Sequence, residues 1–334
     1  MRLSTAAARV TRGGAGSRIT DDVFSRAYAG AVTEYPFCSV VVCTRHRAAE
    51  LERCLVGLRE LDYPRYEVIV VDNTPGDENV SRLAEAAGAR LIVEATVGLS
   101  RARNTGARTA HGELVAFIDD DAVAHPSWLE AHAAGFDDPA VAVTTGRIVL
   151  PSPTTPAAEA WAAVADLGDT PFRVDRSSSH WFEQANFGGA GAGANMAFRS
   201  ALFEGGWGFR ESLGLGEGER PLGEEHYAFF TLLSEGHVIA YLPNAVIYHD
   251  PPTTMSELRL KRRRLARSSA AYLVMLLVEH PEFRRRTLRY AFTALRGRRR
   301  DWRTGCADGA FLSRRELAAA ALSAPSLYWR NRTS

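Results

Sequence analysis

Three consecutive carboxylates, Asp119 to Asp121, directly follow a run of apolar residues. Adjacent acidic side chains repel one another, so at the end of a buried strand they need a cation to offset their charge. A hard divalent ion, Mn2+ or Mg2+, prefers such oxygen ligands and keeps coordination positions open for phosphate oxygens. Because side chains alternate along an extended chain, Asp119 and Asp121 point the same way and Asp120 points away. A solvated acidic turn is the alternative explanation for an isolated acidic run.

Polar residues also end the first two apolar runs of the chain. Thr44 and Arg45 follow the run at 39–43, and Asp72 follows the run at 67–71. An aspartate in such a position can accept hydrogen bonds from a nucleotide base or a ribose, and an arginine can bind phosphate. Taken singly, each residue is equally suited to a helix cap or a loop.

Two further arginines, Arg101 and Arg103, lie at the start of a predicted helix. The N-terminal amides of a helix favour anions, so charge and helix dipole together could hold a pyrophosphate there. A solvated helix face is the alternative interpretation.

An alternation of strands and helices positions all of these residues. Apolar runs predict strands at 39–43, 67–71, 90–93 and 114–118, and amphipathic stretches predict helices at 49–61, 80–87 and 99–109. Strands joined through helices imply right-handed βαβ units and an α/β fold, a doubly wound, mostly parallel sheet with helices on both faces. Ligands bind such a sheet beyond the carboxyl ends of its strands, where the polar residues above lie.

Composition sets the broad class of the protein. The chain has 334 residues, 46% hydrophobic and 24% charged, with a formal net charge of +1, as in a globular protein with one large core or two coupled ones. Its four cysteines include no CxxC pair, which argues against a disulfide framework or a zinc site and favours the reducing cytoplasm. The first 30 residues contain no signal-peptide core. The most apolar later stretch, 270–278, is far shorter than the ~20 residues of a membrane span.

We expect four segments along the chain. Residues 1–36 form a mobile tail, 37–150 a nucleotide-binding half, 151–252 an acceptor-binding half and 253–334 a helical, basic C-terminal extension. The boundary at 151 follows from Pro151, Pro153 and Pro156, which punctuate the chain. In the second half we expect a Gly-rich stretch at 187–195, a helix at 224–236 and a short strand at 246–248.

The basic segment from 257 to 303 contains 15 Lys and Arg against four Asp and Glu. Its clusters lie at 261–264, 284–286 and 298–300, and the first two flank the apolar run 272–277. The first interpretation is a solvated helical cover on the catalytic domain. Peripheral contact with an anionic membrane surface is the second. Nucleic-acid binding is disfavoured because aromatic residues are sparse among the basic ones.

Taken together, the motifs resemble glycosyltransferase family 2, a large family of inverting enzymes with the GT-A fold. The resemblance runs from about residue 39 to about residue 249. In chain order its motifs are SVVVCTRHR, EVIVVDN, GLSRARNTGARTAHGELVAFIDDD, GAGANMAFR, GEEHYAFF and YLPNAVIYH. Any one of them alone would be weak, but their order and spacing are specific.

The resemblance implies a nucleotide-sugar donor, with UDP favoured, bound to the strand ends. Thr44 and Asp72 would contact the base and ribose, and Arg101 or Arg103 the diphosphate. The Gly-rich stretch would bring bare backbone against the donor sugar, as glycine permits. The full set of expected donor-contacting residues is Thr44, Arg45, Asp72, Arg101, Arg103, Asp120, Gly193, Ala194 and Asn195.

The resemblance also implies a metal site and a catalytic base. Asp119 and Asp121 would form a DxD motif that positions Mn2+ or Mg2+, with His249 completing the site. Glu224 and Glu225 occupy the place of the family's Glu-Asp pair, whose second member is usually the general base. Glu225 is therefore the expected base, with Glu224 as the alternative because Glu225 is one methylene longer than the usual Asp. Inversion needs one carboxylate to take the proton of the acceptor hydroxyl while its oxygen attacks the anomeric carbon.

We therefore expect a hexosyltransferase that acts on a hydroxyl of a small-molecule or lipid-linked acceptor. A QxxRW signature and membrane spans are absent from the sequence, which argues against a processive polysaccharide synthase. A nucleotidyltransferase is one alternative, but it would show a Gly-rich loop after the first strand, and residues 43–47 contain no glycine. A non-catalytic sugar-nucleotide-binding protein is the other. The sequence does not indicate an oligomeric state.

Overall fold

One mixed sheet of nine strands organises the described part of the chain. The computed structural model describes residues 35–74, 76–150, 155–295 and 312–332. The expected tail at 1–36, apart from its last two residues, and the third basic cluster, 298–300, lie outside the described residues. So do Pro151, Pro153 and Cys306.

The strands are β1 (Cys38–Thr44), β2 (Tyr66–Asp72), β3 (Arg90–Val93), β4 (Leu114–Asp119), β5 (Ala122–Ala124), β6 (Val141–Val149), β7 (Phe172–Val174), β8 (Asn195–Arg199) and β9 (Val238–His249). The helices are α1 (Ala48–Arg59), α2 (Glu78–Ala87), α3 (Leu99–Thr109), α4 (Trp128–Ala134), α5 (Pro156–Ala165), α6 (Trp181–Asn186), α7 (Ser200–Glu204), α8 (Glu224–Ser234), α9 (Met255–Glu279), α10 (Arg284–Leu295) and α11 (Arg314–Asn331). A 3-10 turn, Pro281–Phe283, joins α9 to α10.

The first half of the sheet is parallel, in the order β3-β2-β1-β4. Beyond β4 the sheet is mixed, because β8 runs antiparallel to both β4 and β6, and β5 and β7 run antiparallel to β9. Every strand pair is therefore parallel only in the half of the sheet that was predicted from the alternation of strands and helices.

Helices cover both faces of the sheet, as the continuous apolar strands require. Along β1, Val40 and Val42 join the core on one face and Val41 joins the core on the other. On the first face, α1 buries the predicted stripe that includes Leu51 and Leu55. The doubly wound α/β architecture is thus confirmed.

Strand β9 is much longer than the expected strand at 246–248. It runs for 12 residues and lies between β6 and β5. Its pairing with β6 shifts register between Gly146 and Arg147, opposite the segment that contains Pro243. Because proline has no N–H to donate to a ladder, it is tolerated at such an irregularity. Because proline within an apolar run argues against a strand, only the end of β9 was predicted from the sequence.

The C-terminal helices α9 and α11 pack on each other and on the domain. Tyr272, Met275 and Tyr328 belong to the same buried core as Phe230 of α8. The helical, basic C-terminal segment is therefore confirmed as far as it is described. Among the described residues, none of the helices is both long and apolar enough to cross a bilayer.

The same two helices also fasten the loop of residues 205–223, which leads into α8. Arg267 pairs with Glu219 at 2.5 Å, and Asn331 Nδ2 donates to the carbonyl oxygen of Glu219 at 3.1 Å. Arg210, from the same loop, pairs with Glu279 at the end of α9. The C-terminal segment thus fixes the approach to the helix that carries Glu224 and Glu225.

Candidate functional site

The carboxyl ends of three parallel strands bring the predicted polar residues to one edge. Thr44 lies opposite Asp72 in the pairing of β1 with β2, and Cys43 lies opposite Asp119 in the pairing of β1 with β4. The strand ends therefore form a continuous floor, as expected of a parallel sheet.

Asp119, Asp121 and His249 come together at this edge. One potential ligand atom from each lies within 4.8 Å of the others. His249 arrives through the antiparallel pairing of β9 with β5, in which it lies opposite Ala122. Two carboxylates and one imidazole match the ligands that Mn2+ accepts in proteins, and three protein ligands leave positions open. The donor set therefore fits a divalent cation.

Hydrogen bonds orient the imidazole toward this cluster. His249 Nδ1 lies 2.9 Å from the carbonyl oxygen of Asp250, and Nε2 lies 3.3 Å from Asp121 Oδ1. A backbone carbonyl on Nδ1 holds the proton there and leaves Nε2 for a ligand. Although burial opposes it, the bond to Asp121 raises the pKa of His249.

Arg47, which sequence reasoning did not single out, bridges two of the three aspartates. Its Nη1 lies 2.8 Å from Asp121 Oδ2 and 3.1 Å from Asp120 Oδ1. Burial would raise the pKa of Asp121, but the hydrogen bonds and charges of His249 and Arg47 hold it well below its usual range. The only sequence signal for Arg47 was its place as the last residue of the motif SVVVCTRHR.

Asp120 turns away from the cluster, as the alternation of side chains predicts. It accepts a hydrogen bond from the hydroxyl of Thr44 at 2.8 Å, and both side chains are buried. Burial raises the pKa of Asp120 to about 6, against the lowering effects of Thr44 and Arg47. This pair ties the end of β1 to the acidic turn.

Arg103 links four elements of the site from a buried position. Its Nη1 lies 2.7 Å from Glu224 Oε1, and its Nη2 lies 3.2 Å from Asp119 Oδ1. Nη2 also donates to the carbonyl oxygen of Gly193 at 3.1 Å. The guanidinium group of Arg103 therefore ties helix α3 to strand β4, the Gly-rich stretch and helix α8.

Glu224 and Glu225 open α8 but face different surroundings. Glu224 is buried against Arg103, whereas the Glu225 side chain is 19% exposed. Burial, followed by the charge of Glu225, raises the pKa of Glu224, while Arg103 opposes the rise. Glu225 Oε1 lies 4.0 Å from His226 Nε2. Only the second glutamate combines partial exposure with freedom from the Arg103 ion pair.

Gly193 makes this arrangement sterically possible. A Cβ at this position would lie 3.1 Å from Arg103 Nη2 and 3.4 Å from the Cβ of Glu225. The missing side chain thus allows the backbone to lie against the ion pair and the second glutamate. Ala194, the next residue, is also buried.

Asn195 is buried beneath the site, where its amide group makes four hydrogen bonds. Its Oδ1 accepts from Trp128 Nε1 and His132 Nε2, both at 2.8 Å. Its Nδ2 donates to the carbonyl oxygens of Arg147 at 3.0 Å and Ala245 at 2.8 Å. These bonds satisfy the hydrogen-bonding capacity of the amide inside the core. The geometry thus favours a positioning role for Asn195.

His132 completes this network as a neutral imidazole. Its Nδ1 lies 2.7 Å from Thr144 Oγ1, so the hydroxyl can donate to Nδ1 while Nε2–H donates to Asn195. Burial lowers the pKa of His132 to about 4.

Of the remaining expected donor-contacting residues, Arg45 follows β1, Asp72 ends β2 and Arg101 lies in the first turn of α3. Arg45 is exposed, and Arg101 pairs with Glu211 Oε2 at 2.7 Å. Asp72 is buried, accepts from the backbone N–H of Thr74 at 2.7 Å, and has a pKa that burial raises. The start of α3 is fixed by Asn73, whose Oδ1 accepts from the N–H of Gly98 at 2.8 Å. In the sequence, Asn73 is the last residue of the motif EVIVVDN and carries no other signal of this role.

Comparison with known proteins identifies the part of the chain that carries the strand ends of this site. The family model for glycosyl transferase family 2 matches residues 39–203. Glycosyltransferase AglE of Haloferax volcanii is 31% identical over 125 residues, which cover 35% of this chain and 41% of that protein. The pre-mycofactocin glycosyltransferase of Mycobacterium tuberculosis is 29% identical over 252 residues, which cover 73% of this chain and 48% of that protein. The chain thus spans about half the length, or less, of these curated relatives.

A solved structure matches nearly the whole chain. It is the mannosyltransferase PcManGT from Pyrobaculum calidifontis in complex with GDP-Man and Mn2+, with a TM-score of 0.57 and 22% sequence identity. The match covers 93% of this chain and 89% of that one. At this identity the likeness concerns the fold, and it confirms the predicted GT-A architecture.

Proposed function

Since the chain belongs to glycosyltransferase family 2, we propose that it transfers a sugar from a nucleotide-sugar donor to an acceptor hydroxyl with inversion at the anomeric carbon. The observation that carries the proposal is the convergence of Asp119 from the acidic cluster and Glu224 on the buried Arg103, with Glu225 beside the adjoining Gly193. One side of this arrangement suits a diphosphate leaving group, and the other offers a base.

Asp119, Asp121 and His249 would hold Mn2+ or Mg2+. When bound, the ion would offset the negative charge that develops on the leaving diphosphate. The proposal is supported by the proximity of the three ligand atoms. It is also supported by the mannosyltransferase of similar fold, whose structure is a complex with GDP-Man and Mn2+.

The donor would lie along the strand ends of the first half. Thr44 and Asp72 would flank its base and ribose, and Arg45, directly after β1, and Arg101, in the first turn of α3, would face its phosphates. Arg103 and Asp120 act mainly by positioning, because each is buried and already paired. UDP-sugars are the first donors to test, and GDP-sugars follow because the mannosyltransferase of similar fold is described with GDP-Man.

Glu225 would take the proton of the acceptor hydroxyl as that oxygen attacks the anomeric carbon. Glu224 would neutralise Arg103, so that the buried guanidinium group does not draw the second carboxylate away from the acceptor. Because Gly193 has no side chain between these residues, Glu225 would keep its access to the site.

The acceptor would be a small molecule or a lipid-linked one. For a lipid-linked acceptor we propose that the enzyme works in the cytoplasm at the surface of an anionic membrane. Exposed arginines of the C-terminal helices, among them Arg264 and Arg285, support such contact, since they can attract anionic headgroups. Leu288, which is 56% exposed on the same helix as Arg285, adds an apolar residue to that surface.

A donor screen tests the proposed activity. The full chain is incubated with Mn2+ and a panel of UDP-, dTDP- and GDP-sugars, and release of the nucleoside diphosphate is measured. We expect slow hydrolysis of one donor class, and faster release once an acceptor hydroxyl is supplied. If every donor stays intact and no nucleoside diphosphate binds, the proposed function is wrong.

A further inference from the structure

The arginines placed near the donor phosphates are largely paired within the protein. Arg47 bridges Asp120 and Asp121, Arg103 pairs with Glu224 and Asp119, and Arg101 pairs with Glu211. An arginine that already offsets a carboxylate contributes less net charge to an incoming anion. Besides the proposed metal ion and the exposed Arg45, a basic side chain without a carboxylate partner near the acidic cluster would therefore add to diphosphate binding.

Helix α9 supplies such a cation from outside the matched family domain. The Nζ of Lys261 lies 4.0 Å from the centroid of the Trp161 ring. Its side chain is partly buried, and it is near enough to Asp121 and Asp119 for their charges to act on it. In the described part of the chain, no carboxylate forms an ion pair with this ammonium group.

The surroundings of Lys261 suit a ligand rather than a structural ion pair. The indole ring attracts the ammonium group without using its N–H donors, and an ammonium group has three of these. Burial lowers the pKa of Lys261, while the charges of Asp121 and Asp119 oppose that effect. An ammonium group held in this way keeps donors available beside the proposed metal ligands.

We propose that Lys261 binds the diphosphate of the nucleotide-sugar donor, with Trp161 holding its ammonium group in place. The inference rests on the proposed function and extends it to a binding residue in the C-terminal helices. A phosphate-bearing acceptor could meet the same ammonium group. We assign the donor because α9 starts six residues after His249, a proposed metal ligand, and the charges of Asp121 and Asp119 act on this ammonium group.

Nucleotide binding tests the assignment without any turnover. The affinity of the full chain for UDP and GDP is measured by calorimetry with Mn2+, and the affinity for uridine and guanosine by competition. A hydrogen bond from a charged group contributes about 1.5–3 kcal/mol, so Lys261→Gln should weaken diphosphate binding about tenfold or more. Nucleoside affinity should stay unchanged, and Lys261→Arg should restore most of the loss.

Arg259→Gln is the matched control. It removes the same charge from the same helix, but Arg259 is exposed and lies two residues, or about 200°, around the helix from Lys261. Its diphosphate affinity should equal that of wild type. Trp161→Leu should weaken binding less than Lys261→Gln, because the ammonium group remains but is less well held.

Several outcomes would overturn the assignment. If Lys261→Gln binds diphosphates as wild type does, Lys261 does not bind the donor. If the same variant instead raises the KM for the acceptor, the phosphate belongs to the acceptor. An equal loss of nucleoside affinity would indicate a structural role. A wild-type chain that binds none of the nucleoside diphosphates would overturn the proposed function as well, so the two failures are distinguishable.

Discussion

Arg103 and Glu224 form a buried ion pair, with 2.7 Å between Nη1 and Oε1 and side chains that are 3% and 7% exposed. A charge buried to this extent needs its partner, because removing one member leaves the other uncompensated. The carboxylate of Glu224 is thus engaged by Arg103, while the adjacent Glu225 remains partly exposed. This difference separates the two glutamates that the sequence left as alternatives.

Glu225→Gln should therefore slow transfer without unfolding the site. The change keeps the shape of the side chain but removes the proton acceptor, and general-base catalysis typically contributes ~100-fold to 10,000-fold in rate. Single-turnover transfer should fall by that range, while donor affinity and melting temperature stay close to wild type.

Glu224→Gln is the paired control and should behave differently. It removes the closer of the two carboxylates that pair with the buried Arg103 and leaves only Asp119, at 3.2 Å, which should cost up to about 3 kcal/mol of folding stability. Its main effect should be a lower melting temperature. If the Glu224 variant is folded but inactive while the Glu225 variant transfers normally, the base is Glu224. If both variants are active, the proposed inverting mechanism is wrong.

Asp121→Ala should abolish transfer and Mn2+ binding together. The substitution removes one of three proposed ligands and the carboxylate that pairs with His249. Binding of Mn2+ can be followed by electron paramagnetic resonance, and Asp62→Ala, at an exposed aspartate after α1, serves as the control. Wild-type transfer that continues in excess EDTA would remove the metal from the mechanism.

His132 should make folding stability depend on pH. Because burial lowers its pKa from 6.5 to about 4, the unfolded chain binds a proton between these pH values that the folded chain does not. The contribution of neutral His132 to the free energy of unfolding is fully present above about pH 6.5 and is lost as the pH falls toward about 4. The free energy of unfolding should differ by about 3 kcal/mol between these two pH values.

The neutral variant His132→Gln should show a weaker pH dependence over the same range. Denaturant unfolding of both proteins at a series of pH values measures the difference in the free energy of unfolding. Parallel curves would mean that His132 titrates normally in the folded chain.

The basic C-terminal helices should bind anionic vesicles at low salt. Arg263 is already paired with Glu316 at 2.7 Å, so the exposed Arg264 and Arg285 are the better test positions. Replacing both with Ser should weaken binding by ~1 kcal/mol per charge. If the wild-type chain does not bind such vesicles even at low salt, the basic segment is only a helical cover on the rest of the protein.

Arg82→Ser together with Arg108→Ser is the control for the vesicle experiment. It removes the same number of charges from the exposed surface of α2 and α3 in the first half of the chain. Vesicle binding, followed by co-sedimentation at low and raised salt, should stay at the wild-type level.

The first half of the fold was accessible from the sequence because its strands are buried on both faces. Such strands read as continuous apolar runs, and β3 and α3 were predicted with the bounds that the structure gives them. The second half was less accessible. Strands β5 and β7 have only three residues each, too few for a period to show, and β9 contains Pro243.

The site was only partly accessible for a different reason. The acidic residues after β4 can be recognised from their local spacing, whereas the surroundings of Asn195 depend on residues that are distant in the sequence. Trp128 and His132 lie 67 and 63 residues away from Asn195 in the sequence. Likewise, the ion pair of Arg103 with Glu224 spans 121 residues. Side-chain roles that depend on such distant contacts cannot be read from local patterns.

The fastening of loop 205–223 by α9 and α11 limits how this enzyme could be recombined with its relatives. The matched family domain ends at residue 203, yet Glu219 beyond it is held by Arg267 and Asn331. A chimera joined near residue 252 would therefore inherit a loop from one parent and its anchors from another. Exchanging α8 and the loop before it between homologues would require the C-terminal helices to be transplanted with them as one block.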